Sequence, residues 1–187
     1  MTEKEKREKG LLYNPNLDQE IVNELRSCKT LCHEYNLTYY TDSEKRKALI
    51  QKIINKVEGN FLIEQPFWCD FGYNIQIGKD FYANHNLVIL DCSQVKFGNN
   101  VFIGPNCGFY TAGHPLNVKE RNAGLEYAKP ITVGDNVWFG GNVVVMPGVT
   151  IGDNTIIGAG SVVTKNIPSN VIAVGNPCKV MKKNEVG

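Results

Sequence analysis

Proton transfer near neutral pH is the chemistry most open to these side chains, because histidine is the residue whose ordinary pKa suits it. The chain has three histidines, His33, His85 and His114. His33 falls in a stretch of helical periodicity and His85 inside a sequence repeat, where each reads as a surface or packing residue. His114 stands where that repeat breaks, at the head of a non-repeating stretch that runs to about Lys129. Glu126 lies in the same stretch and has two readings. It could hydrogen-bond an imidazole and fix its tautomer, or it could be a solvated loop carboxylate. No third histidine lies on the repeat, so a zinc centre of three converging histidines is not expected. Six cysteines are present without a CxxC pair, and Cys28 and Cys32 are spaced i, i+4 beside apolar positions. Free, mostly buried thiols are expected, and no metal.

The element that must position these groups is a six-residue repeat. Hexads open at Val133, Phe139, Val145, Ile151, Ile157 and Val163, each on a large apolar residue, and Gly usually follows. A period of six matches neither a helix nor a simple strand. It fits a β-solenoid, in which short strands alternate with tight corners and coils stack in parallel. The opening residue should point inward, and Gly-Asp-Asn sequences such as 152–154 should supply corners where positive φ is cheap. Earlier hexads open at Phe71, Ile77, Ala83 and Ile89. The phase slips by two residues around Val95 and resumes at Phe97, Ile103 and Phe109. The stretch 114–130 reads as a loop pushed out of one corner.

Residues 1–58 read as helical. Ile21, Leu25, Cys28 and Cys32 make an apolar stripe, and Leu49, Ile50, Ile53, Ile54 and Val57 make a second. Thr41 to Glu44 fits a capping box, and Gly59 is a candidate stop. These helices would cover the open end of the solenoid, 59–187. Lys and Arg number 20 against 19 Asp and Glu, a balance that calls for neither nucleic acid nor an anionic membrane. The charged N-terminus lacks a signal-peptide core and no apolar run is long enough to span a bilayer, so a cytoplasmic protein is expected.

Several segments together resemble the maltose/galactoside O-acetyltransferase family. They are Tyr82-Ala83-Asn84, Thr111-Ala112-Gly113-His114-Pro115, Asn136 to Gly141, Pro147 to Gly152, Gly158 to Lys165 and Gly175-Asn176-Pro177. The helical start also resembles that family's N-terminal segment. The resemblance covers nearly the whole chain. It implies a mainly β fold, a left-handed parallel β-helix with an N-terminal α-helical segment. It also implies acetyl-coenzyme A as donor, a sugar acceptor, and a homotrimer with active sites between subunits.

Transfer of an acetyl group to a hydroxyl needs a base, donors for the oxyanion and alignment of both substrates. The resemblance makes His114 the general base and Asn84 a residue that organises the reacting centre. Tyr82, Asp70 and Asp91 would line the acceptor site, with Asn16 or Asp18 completing it, although Asp18 also reads as a helix cap. Asp70 and Cys92 depart from the galactoside-type pattern, which leaves the acceptor open. For the donor, Gly141 and Ala159 would approach the pantetheine by backbone, and Trp138 would wall the cleft. Thr164 and Lys165 would lie near the nucleotide. Lys179 and Lys182 stand where the family often has Arg; they would contact phosphate, or else form a solvated basic tail. The competing readings are a different hydroxyl or amine acceptor (a xenobiotic, an oligosaccharide or serine) and a non-catalytic binding solenoid.

Overall fold

The computed structural model describes residues 1–185; the last two residues of the expected second segment lie outside the described residues. The chain folds as a three-sided parallel β-solenoid closed at its first end by helices. Face I stacks Lys56–Val57, Ile75–Ile77, Val95–Phe97, Ile131–Val133 and Thr150–Ile151 in parallel register. Face II stacks Phe61–Ile63, Phe81–Ala83, Phe102–Ile103, Trp138–Phe139, Ile156–Ile157 and Val171–Val174. Lys179–Lys183 then adds an antiparallel strand at the edge of that face. Face III stacks Phe67–Cys69, Leu87–Leu90, Gly108–Tyr110, Val144–Val145 and Val162–Val163. This is the mainly β solenoid that the hexads predict, with the helical start that the apolar stripes of residues 1–58 predict.

Inward residues fill the prism. Phe81, Phe97, Phe109 and Phe139 form a column of edge-to-face rings with centroids 5.2, 5.0 and 5.2 Å apart. The corner from face I to face II is turned by residues of positive φ, among them Asn100, Asn136, Asn154 and Asn170. Asn tolerates the left-handed conformation better than most residues. It also adds a ladder here: Asn100 donates to Asn136 at 3.0 Å, Asn136 to Asn154 at 2.9 Å and Asn154 to Asn170 at 2.9 Å.

The first coils differ from the expected phase. Cys69, not Phe71, is the inward residue, paired with Ile89 across face III. Phe71 leaves the prism and packs with Tyr13, Ile21, Cys92 and Ala128 in a second apolar cluster. The slip seen near Val95 therefore also occurs one coil earlier. Two extra residues enter at the corner from face III to face I in each of these coils, and the long loop leaves the prism at the same corner in the next.

The helical start holds α1 (Glu3–Glu8), a 3₁₀ turn at Pro15–Leu17, α2 (Gln19–Leu37) and α3 (Ser43–Ile53). Tyr35, Leu49, Ile50 and Ile53 join the prism core and seal its open end. The cap of α3 is Asp42, which accepts from the amide of Lys45, so the expected cap at Thr41 lies one residue too early. Helix α3 ends at Ile53, and Gly59, with φ of 63°, serves a solenoid corner instead of stopping a helix. No helix among the described residues is long and apolar enough to cross a membrane.

Candidate active site

The corner between faces III and I concentrates chemistry because it is the one that carries the extra residues. Asp70 and Asp91 sit there on successive coils, and the loop bearing His114 and Glu126 leaves from the coil above. That loop is a short antiparallel ribbon, Ala112–Gly113 with Tyr127–Ala128, topped by α4 (Val118–Asn122). The ribbon sets His114 exposed at its edge, with Nδ1 3.0 Å from the carbonyl oxygen of Leu125. A carbonyl can only accept, so Nδ1 carries the proton and Nε2 keeps a free lone pair. That is the tautomer a general base requires.

The orienting contact considered for Glu126 is thus made by its neighbour's carbonyl. The Glu126 carboxylate accepts from the Tyr13 hydroxyl at 3.1 Å, and the backbones of the two residues pair in both directions. Tyr13 and Glu126 fasten the strand whose Leu125 carbonyl holds His114. Tyr13 is 1% exposed, and burial pushes its hydroxyl above the ordinary phenol range. Its role went unread in the sequence; the one available signal was an aromatic residue closing Leu11-Leu12-Tyr13 before Asn-Pro.

Asp70 keeps its carboxylate partly exposed, 3.2 Å from Lys29 Nζ, with the Cys92 thiol 3.7 Å from its other oxygen. The reading of Asp91 as an acceptor-contacting residue is corrected by its burial. Asp91 is fully enclosed; one oxygen accepts from the amides of Asp70 and Phe71 at 2.9 Å each, and the other has no partner. Loss of water raises its pKa to about 6. It shapes the turn that presents Asp70. Asp18 is likewise occupied. As N-cap of α2 it accepts from the amides of Lys4 and Glu20, both at 3.1 Å, and these bonds, led by Lys4, hold its pKa low. Asn16 is exposed on the 3₁₀ turn. Arg7, also unread in the sequence, is buried against the Phe71 ring at 4.4 Å and donates to the Tyr73 hydroxyl.

The remaining site residues occupy a different corner, from face II to face III. Asn84 is there, its side-chain oxygen accepting from the His85 amide at 2.7 Å. His85 is exposed, with Nδ1 2.6 Å from the Gln65 carbonyl oxygen. Gly141 and Ala159 follow on later coils of the same corner. A side chain at Gly140 would meet the Ala159 amide nitrogen at 2.5 Å, so coils this close demand glycine. Tyr82 and Trp138 project outward from adjoining face II, where Trp138 is 53% exposed. Lys179 and Lys182 pair with Val174 and Ile172 along the edge of that face. Thr164 and Lys165, by contrast, are exposed on the His114 corner, two coils above it.

Within one chain the candidate residues therefore form two groups. The four-residue strand Leu87–Leu90 of face III separates the corners on the Asn84 coil, about 13 Å at some 3.3 Å per residue. Neither group alone holds both the base and the full donor groove.

The comparisons fit this geometry. Residues 6–59 match the maltose acetyltransferase hexapeptide capping motif, and residues 130–165 match the bacterial transferase hexapeptide family with its six repeats. The galactoside O-acetyltransferase of Escherichia coli K12 is 48% identical over 155 residues, 83% of this chain and 76% of that protein. The crystal structure of a maltose O-acetyltransferase from Clostridium difficile 630 superposes with a TM-score of 0.97 at 47% identity, covering 100% of this chain and 99% of that one. A galactoside acetyltransferase in complex with coenzyme A superposes with a TM-score of 0.95 at 43% identity, covering 98% and 91%. A hexapeptide-repeat acetyltransferase from Vibrio cholerae complexed with acetyl-coenzyme A gives 0.91 at 34%, covering both chains in full. The chain belongs to the hexapeptide-repeat acetyltransferases of the maltose and galactoside O-acetyltransferase family.

Proposed function

We propose that this protein transfers the acetyl group of acetyl-coenzyme A to a hydroxyl of a sugar, in a ternary complex, with His114 as the base. The observation that carries the reading is the histidine itself: an exposed imidazole whose Nδ1 is committed to a carbonyl and whose Nε2 is left to take a proton. Relatives named for maltose and galactoside acetylation support a sugar acceptor, and relatives holding coenzyme A or acetyl-coenzyme A support the donor.

The proposed step is direct. The acceptor hydroxyl loses its proton to Nε2 of His114 as its oxygen attacks the thioester carbon. Backbone amides at the glycine-rich corner, Gly141 foremost, and the Asn84 side chain are the groups proposed to meet the oxyanion. Collapse expels coenzyme A as thiolate, which takes the proton back from the imidazolium. Asp70 and Tyr82 are assigned to the acceptor, Glu126 to fastening the loop, and Lys179 and Lys182 to the phosphates.

We propose further that the working unit is a homotrimer. Face I is polar outward, with Lys56, Gln76, Lys96, Thr132 and Thr150. Face II presents Leu62, Tyr82, Phe102, Trp138, Ile156 and Ile172, and face III presents Trp68, Val88, Val144 and Val162. Two apolar faces that meet at one edge suit a cyclic assembly, in which face II of one subunit approaches face III of the next. That packing would bring the Asn84 corner of one subunit toward the His114 corner of its neighbour.

The test is release of free coenzyme A from acetyl-coenzyme A with maltose, glucose, a thiogalactoside, serine or chloramphenicol as acceptor. Turnover with a sugar is expected, reduced on the order of a hundredfold or more in His114→Ala. Turnover only with serine or chloramphenicol would overturn the sugar reading. Wild-type turnover in His114→Ala would remove it from the base role.

A further inference from the structure

Three cysteines that acetyl transfer does not use meet where α2 crosses the first coil. Cys69 Sγ lies 3.5 Å from Cys28 Sγ and 3.7 Å from Cys32 Sγ, and all three sulfurs fall within 4.8 Å of one another. They are 5%, 0% and 1% exposed, and all are free thiols. Sulfurs about 2.3 Å from a common centre sit roughly 3.5 to 4 Å apart, so the spacing suits one shared ion.

The donor set and its surroundings choose the ion. Three sulfurs are soft ligands. No histidine or carboxylate among the described residues joins the group, whereas zinc favours a fourth ligand. The walls are apolar, with Tyr35, Ile53, Ile63 and Phe67 in the same core. Buried Asp91, with its unpartnered oxygen, sets a negative charge near Cys28 and Cys69, and Lys29 sets a positive one near Cys32. A complex carrying net negative charge would be costly there. Three thiolates leave a monovalent or divalent ion anionic, and they leave a trivalent one neutral.

We propose that Cys28, Cys32 and Cys69 form a binding site for a trivalent thiophilic metalloid, with arsenic(III) as its type. Arsenous acid exchanges three As–O bonds for three As–S bonds. Each thiol proton leaves with a hydroxide as water, so no oxidant or reductant takes part. Cys28 opens onto a surface cleft lined by Glu24, Ser27, Leu31 and Lys52, which supplies the entry path. The bound ion ties α2 to the strand Phe67–Cys69 and so favours the folded state.

The experiment is titration of the full chain with sodium arsenite, read by native mass spectrometry, arsenic-edge X-ray absorption and melting temperature. One arsenic per chain is expected, with a mass gain of one arsenic less three hydrogens, three sulfur neighbours and a raised melting temperature. Cys107→Ala should behave as wild type, while Cys69→Ala should give at most an adduct that keeps a hydroxyl. The absorption measurement needs no variant, so a poorly folding substitution does not blunt the test. No adduct in the wild-type protein, fewer than three sulfur neighbours, or an unchanged adduct in Cys69→Ala would each overturn the proposal. So would tight copper(I) binding by the same cysteines with no uptake of arsenite.

Discussion

At the scale of single residues, position on the solenoid decides what each acidic or basic group can do. Asp70 and Asp91 are one coil apart on the same corner, yet Asp70 stays partly exposed and Asp91 is fully buried. The raised pKa of Asp91, about 6 against about 4 for an unfolded aspartate, has a definite sign. The native state holds the proton to higher pH than the unfolded chain. The stability it contributes is therefore full below about pH 4 and lost as pH rises through about 6, a difference on the order of 3 kcal/mol. Asp91→Asn keeps an oxygen for the Asp70 and Phe71 amides and removes the titration. Denaturant unfolding of the variant should gain about 3 kcal/mol on wild type between pH 4 and pH 7. A constant difference across that range would contradict the account. The sequence alone singled out His114 by its place at the break in the repeat, because a break is a property of order along the chain. It could not separate Asp70 from Asp91, or assign the imidazole's partner to Leu125, because those depend on which coil lies above which.

At the scale of elements, the repeat was readable where its period is strict and misread where it stretches. The run from Val133 has one inward residue per hexad and the structure follows it. Around Cys69 and Phe71 two residues are added at a corner. Both are apolar, and nothing local says which points into the prism. The helix cap slipped by one residue for a similar reason, since Thr41 and Asp42 are both good caps and tertiary packing chooses. The inward phenylalanine column gives a sharp prediction. Phe109, between Phe97 and Phe139, is fully buried. Phe109→Ala should cost roughly 3 to 5 kcal/mol by equilibrium unfolding, and a loss under 1 kcal/mol would mean the prism relaxes around the gap. The edge strand Lys179–Lys183 offers a functional counterpart. Lys179→Ala should raise the KM for acetyl-coenzyme A by roughly three- to tenfold and leave the acceptor KM near wild type. The reverse pattern would move this strand away from the donor site.

At the scale of the whole molecule, two facts belong together. The candidate residues divide between two corners of one prism, and the two faces that flank the Asn84 corner are the apolar ones. The proposed trimer would answer both, burying those faces and joining the corners. The most direct test is subunit complementation between His114→Ala and Asn84→Ala, each nearly inactive alone, co-expressed with different tags and purified as mixed trimers. If every site takes His114 from one subunit and Asn84 from the next, each mixed trimer keeps one intact site of three, and the purified mixture restores about one third of wild-type turnover. If mixed trimers form and stay as inactive as their parents, the two residues serve the same subunit's site and the shared-site account is wrong.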